Sequence, residues 1–204
     1  MIEKMAKEIS DVLVKNGLVK EEKRHMYAYG AELLMSGVLS TFMVLIIGLV
    51  SQRLIETLLL MIPFYFIRVY AGGYHAETYK NCFVSFCVGF IVVLAVTDSI
   101  IKYKLENTIM CFAIIAAVII CIIAPIEDHS RPLTDKELLQ YNKKTKIFVI
   151  LFLLFSETVY WIFRLNKMVY ISMAIISVVI VLFIGIVKNR IIGFRSIVIR
   201  KNLN

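Results

Sequence analysis

The amino-acid sequence predicts an all-α integral membrane protein: six transmembrane helices preceded by an amphipathic interfacial helix. Three observations carry that expectation. Hydrophobic residues make up 60% of the 204 and the mean hydropathy is +0.82, against about 45–50% apolar residues in a soluble domain. Six apolar runs follow one another, at about 33–50, 54–70, 83–101, 108–126, 147–163 and 168–187. The first thirty residues show helical rather than continuous apolar patterning. No Pro/Gly-rich or Ser-rich linker divides the chain, so 1–204 reads as one domain.

Residues 1–30 form the interfacial segment. Ile2, Met5, Ala6, Ile9, Val12 and Leu13 recur at helical spacing, while Glu3, Lys4, Lys7, Glu8, Ser10 and Asp11 fill the other face. Such a helix lies in the headgroup plane or packs on the rest of the protein. No continuous apolar stretch precedes Ala31, so the segment is not read as a signal peptide. Asn16-Gly17 is the expected helix stop.

Crossing a hydrocarbon core takes about 20 apolar residues, and the runs at 54 and 83 are short against that. They flank a polar island, 68–85. Full length requires them to take in Arg68–Tyr70 and Thr97–Ile101, unless the bilayer thins there. Charge then orients the spans. Arg53, Lys102, Lys104, Arg164 and Lys167 fall on one side; every other Lys and Arg, including those of the basic loop 127–146, falls on the opposite side. Basic residues at short loops mark the cytoplasm. Both termini and the island are therefore expected in the cytosol, where a cysteine stays a thiol. The net charge of +8 is distributed between apolar runs. Anionic membrane lipid, and not nucleic acid, is its expected counterpart.

The island carries the chemistry. It reads Arg68-Val-Tyr-Ala-Gly-Gly-Tyr-His75-Ala-Glu-Thr-Tyr-Lys-Asn-Cys82-Phe-Val-Ser85. A cysteine attacks as its thiolate and wants a base beside it, and His75 is the near histidine. On an ideal helix, seven residues set the two about 10 Å apart, so a dyad requires a bend. Gly72-Gly73 supplies the freedom for one, and a break is expected within Gly72–Asn81 with Cys82 at the mouth of the third span. A backbone N–H near Gly73 or Cys82 is a candidate oxyanion donor, and Glu77 or Asn81 could orient His75. Two ligands are too few for zinc, so neither metal nor cofactor is expected. Glu157 stands alone in the fifth run, about ten residues from its cytosolic end at 1.5 Å each. It is a candidate for substrate binding, or a structural acid that is either protonated or bonded to another span through a Ser, Thr or Tyr. Cys87, Cys111 and Cys121 lie in apolar runs as small hydrophobes.

The pattern Arg68-x4-Gly73-x-His75-x6-Cys82-x2-Ser85, with an amphipathic start and six spans, resembles the accessory gene regulator B (AgrB) family of Gram-positive quorum-sensing systems. Ala124-Pro125, Arg131-Pro132-Leu133 and Lys143, Lys144 and Lys146 are similar to that family's second polar segment. The resemblance implies a membrane cysteine endopeptidase that removes the carboxyl-terminal tail of an AgrD-like propeptide. Cys82 would be nucleophile and His75 base, with Arg68 and Gly73 at positions important for activity. An acyl-enzyme thioester on Cys82 could pass its acyl group to a substrate cysteine, closing a thiolactone, if water is excluded. The resemblance also implies that the three lysines steer the propeptide's acidic tail, and it makes a homodimer worth testing. Two other classes stay open from the residues alone: a peptide exporter or channel, and a non-catalytic membrane scaffold.

Overall fold

The computed structural model describes residues 2–73, 79–126 and 134–202. Among them the chain is helical almost throughout, in the order α1 (Ile2–Lys15), α2 (Arg24–Val50), α3 (Leu54–Ala71), α4 (Tyr79–Lys102), α5 (Glu106–Ile123), α6 (Asp135–Phe163) and α7 (Val169–Asn202). Short 3-10 turns, Glu21–Lys23 and Asn166–Met168, lead into α2 and α7. From α2 to α7, six helices are long and apolar enough to cross a membrane. The fold is the all-α membrane class expected from the sequence. Contacts group the described residues into two units, 2–52 with 79–91, and 53–73 with 92–126 and 134–202.

In the first unit α1 packs against α2. Gly17, at φ +70°, ends α1 in the left-handed conformation that suits glycine, and the N–H of Leu18 returns to Leu13 O at 3.0 Å. The small side chains of Ala6 and Ser10 are buried, and Arg24 joins the two helices through Asp11 at 2.5 Å. Met5, Ile9 and Val12 stay exposed on the adjoining face. α1 thus packs on α2 and leaves an apolar stripe exposed. α2 also starts nine residues before the expected run at 33.

In the second unit α7 is central, with α3, α5 and α6 around it. Ile175, Val178, Val179 and Leu182 of α7 meet Ile67 and Ala71 of α3, Ala116, Ala117 and Ile120 of α5, and Val149 of α6. Alanine at the α5 contacts lets backbones approach closely, as dispersion packing between membrane helices requires. The runs that looked short recruit the residues they needed. α3 spans 18 residues through Arg68–Tyr70, and α4 spans 24 through Thr97–Ile101.

The basic loop expected at 127–146 is corrected. α6 begins at Asp135, so its second half is helix. Thr134 Oγ1 accepts from the Glu137 N–H at 3.4 Å, and Glu137 Oε2 accepts from the Thr134 N–H at 3.0 Å. This reciprocal cap satisfies two amides that would otherwise lack partners. At 29 residues and about 1.5 Å each, α6 is longer than a hydrocarbon core. Its first turns carry Lys136, Lys143, Lys144 and Lys146.

Candidate active site

α3 ends where the chain can no longer be helical. Gly72 has φ +72° and ψ −146°, and Gly73 has φ +106°, both in territory that L side chains rarely adopt. The Gly72 N–H still reaches Arg68 O at 3.2 Å, and the Arg68 guanidinium turns back to donate to the Gly72 carbonyl. Beyond this point the chain pairs with the segment after α5. The Ile126 N–H donates to Ala71 O at 2.9 Å and the Gly73 N–H to Ile126 O at 3.4 Å, forming an isolated parallel bridge. The approach is close enough to exclude a side chain. A Cβ at Gly72 would overlap the Ile126 carbonyl, and one at Gly73 would lie 3.2 Å from Leu182 Cδ2 and 3.3 Å from Val181 O. The Gly73 amide, a candidate oxyanion donor from the sequence, is thus already engaged.

The start of α6 completes this half. The Tyr70 ring stacks on Phe148 at 5.6 Å and meets Tyr141 edge-on at 5.7 Å, while Lys144 Nζ lies 4.9 Å from its centre. An ammonium over an aromatic face is held by the ring quadrupole. Asn142 Nδ2 donates to Ala124 O at 3.3 Å. The structure therefore brings together Arg68, Gly72, Gly73 and Lys144, with Lys143 and Lys146 exposed beside them on α6. The pairing of the two polar segments was not read from the sequence. Ala124-Pro125 was recognised as the end of a span, but no residue pattern announced its partner.

The other expected site residues open α4 in the first unit. Cys82 is half-buried in its first turns, with Asn81 and Ser85 exposed. Cys82 and Ser85, three residues apart, share one helix face. α3 stops at Ala71 and α4 starts at Tyr79, so Gly72-Gly73 end the helix as expected, Tyr79–Asn81 of the expected break are helical, and residues 74–78 lie outside the described residues. His75 and Glu77 lie outside the described residues, as do Glu127, Asp128 and Arg131.

The family model described as Accessory gene regulator B matches residues 6–192. The chain belongs to the AgrB family. It is 25% identical over 175 residues to AgrB-like protein 2 of Clostridium perfringens (strain 13 / Type A), covering 82% of this chain and 80% of that one. It is 26% identical over 167 residues to an AgrB-like protein of Clostridium perfringens (strain SM101 / Type A), with 77% and 76% covered. Both names record a likeness and no measured activity. No solved structure matches the chain. Membership ties the protein to the agr quorum-sensing system and, with the six apolar helices, fits a multi-pass membrane protein.

Two features of this AgrB-family chain lie apart from the Gly72 turn. Glu157 Oε2 accepts from Trp161 Nε1 of its own helix at 2.9 Å, and Oε1 is buried without a partner among the described residues. Among the described residues its bond is local, and the cross-span bond, one of its two structural readings, is not seen. Glu157 also sits six residues, about 9 Å, from the last residue of α6, past the midpoint of that 29-residue helix. At the far end of α3, Arg53 binds both oxygens of Asp98, Tyr170 Oη donates to the same carboxylate, and Lys167 pairs with Glu56 at 2.8 Å. The bond to Asp98 raises the already high pKa of Arg53. Sequence reasoning counted Arg53 and Lys167 for topology only. Asp98, an acid inside an apolar run, was the signal that could have drawn attention to them.

Proposed function

We propose that the protein is a membrane cysteine endopeptidase that cleaves the carboxyl-terminal tail from an AgrD-like propeptide, the chain working as one peptidase domain with both termini and the island in the cytosol. Cys82 attacks the scissile carbonyl, His75 takes the thiol proton and returns it to the leaving amine, and the peptide remains as a thioester on Cys82. A cysteine within the bound peptide then displaces Cys82, closing a thiolactone. One thioester replaces another, so the step requires no ATP. The observation that carries this reading is the family match across 6–192. The end of α3 at Gly72-Gly73 and the place of Cys82 at the start of α4 support it, because a dyad of His75 and Cys82 requires that the two not share one continuous helix. Arg68 and the two glycines shape the turn, while Asn81, Ser85 and Glu77 are candidates for orienting His75 or the substrate.

The test is the product. Purified protein in liposomes, given the propeptide, yields a ring whose mass is one water below that of the linear fragment, together with the free tail. Only linear peptide from the true substrate would refute the transfer step. Lys143, Lys144 and Lys146 are assigned to the acidic tail. Their joint replacement by alanine is expected to raise KM about tenfold at 50 mM salt and about twofold at 500 mM, as screening removes the long-range attraction. A KM ratio independent of salt would refute that assignment.

A further inference from the structure

The three lysines of the proposed tail site are not equivalent. On a helix, residues three and four apart share a face and residues two apart do not. Lys144 stands three after Tyr141 and four before Phe148, on the face that meets α3, whereas Lys143 and Lys146 each lie two residues from one of those rings and point elsewhere. Tyr70, the last residue but one of α3, fills this face. Its ring stacks on Phe148 with the planes 6° apart, stands at 76° to Tyr141, and has Lys144 Nζ 4.9 Å from its centre. Next to Lys144 in sequence, Thr145 is 1% exposed, and Asn142 Nδ2 ties the same stretch of α6 to Ala124 O at 3.3 Å. Both the ring and the helix that bears the lysine are therefore held in place, within the second unit.

A lysine head carries three N–H donors, and that of Lys144 makes no hydrogen bond or ion pair among the described residues. The ring attracts the charge without neutralising it. The ammonium is thus placed, yet still open to an acid. Ordering a long side chain on binding costs affinity, and Lys144 has met part of that cost in advance. Lys143 and Lys146 are exposed, with neither a ring nor an ion pair among the described residues. They attract an acidic segment from a distance but hold it at no fixed point.

We propose that Tyr70 is a positioning residue that presents the Lys144 ammonium, beside the Gly72 turn, to one carboxylate of the substrate's tail. Lys144 is thereby the specificity-determining cation of the basic set, while Lys143 and Lys146 supply long-range attraction. This rests on the assignment of the three lysines to an acidic tail. The two contributions differ in range. At 500 mM salt the screening length is about 4 Å, which removes attraction across solvent and leaves part of a contact pair.

The experiment measures kcat and KM for tail cleavage by the full chain in liposomes at 50 and 500 mM salt. Lys144→Ala is expected to raise KM about fourfold at low salt and about twofold at high salt, with kcat within about twofold of the parent. Lys143→Ala with Lys146→Ala raises KM about 2.5-fold at low salt and not at all at high salt. Tyr70→Leu raises KM about twofold at both, since the charge stays and its placement is lost, while Tyr70→Phe keeps the ring and the parent values. Added to Lys144→Ala, Tyr70→Leu has no further effect, because the ring acts through the ammonium. The proposal is overturned if the Lys144 loss and the Lys143 with Lys146 loss share one salt dependence, if Tyr70→Leu costs as much without Lys144 as with it, or if Tyr70→Phe matches Tyr70→Leu. If Tyr70→Leu does not accumulate in membranes, the exposed lysines decide: a salt-resistant loss confined to Lys144→Ala supports the proposal, and its absence overturns it. An unchanged KM when all three lysines are replaced sinks the tail assignment itself, whereas a raised KM indifferent to Tyr70 sinks the ring's part alone.

Discussion

Cys82→Ser is expected to lower tail cleavage at least about 10³-fold while the protein reaches the membrane in normal amount. The exchange of sulfur for oxygen is nearly isosteric, and the side chain is only half-buried in the first turns of α4, so folding has little to lose. Chemistry has much to lose, because a serine hydroxyl is a far weaker nucleophile at neutral pH and an ester would take the place of the thioester. His75→Ala should cost a similar factor, and the double variant little more than either single one, since nucleophile and base act as a unit. Cleavage and membrane abundance measured side by side decide it. Normal cleavage by Cys82→Ser would refute the peptidase reading. A multiplicative loss in the double variant would mean that the two residues do not share a step.

The class of fold was legible because lipid imposes few solutions. A long apolar run must be a helix that satisfies its own backbone, and the six runs contained enough information to find all six. Their ends were less legible. Capping and turn chemistry decide where helices stop, and the Thr134-Asp-Lys-Glu137 signal lay unread inside a stretch whose lysines looked like loop. The Gly72-Gly73 break could be read from residue type, since two adjacent glycines at the end of an apolar run permit conformations closed to other residues. Its partner could not be read, because backbone pairing between Ala71–Gly73 and Ile126 leaves no side-chain pattern. The Arg53–Asp98–Tyr170 network was hidden for a different reason. Its members are far apart in sequence and meet only when α3, α4 and α7 are brought to one level.

Gly72→Ala carries the second large expectation, a loss of both stability and cleavage that no truncation of a neighbouring side chain can repair. Two costs combine at this position. The backbone conformation, φ +72° with ψ −146°, costs a non-glycine residue about 1–3 kcal/mol. The new methyl would also overlap the carbonyl oxygen of Ile126 and lie 3.1 Å from its carbon. That obstacle is backbone, so Ile126→Ala cannot move it aside. Relief requires parting the bridge, which surrenders the bonds from Ile126 N–H to Ala71 O and from Gly73 N–H to Ile126 O and releases both polar segments. Gly17→Ala is the internal control, because Gly17 has a similar φ of +70° but open space where its Cβ would stand. It should pay for conformation alone, about 1 kcal/mol, and keep its activity. Thermal unfolding in detergent and tail cleavage in liposomes, compared for Gly72→Ala, Gly72→Ala with Ile126→Ala, and Gly17→Ala, test the argument. Equal losses at the two glycines would show that the close approach to Ile126 contributes nothing, and recovery by Ile126→Ala would show that the obstacle is a side chain.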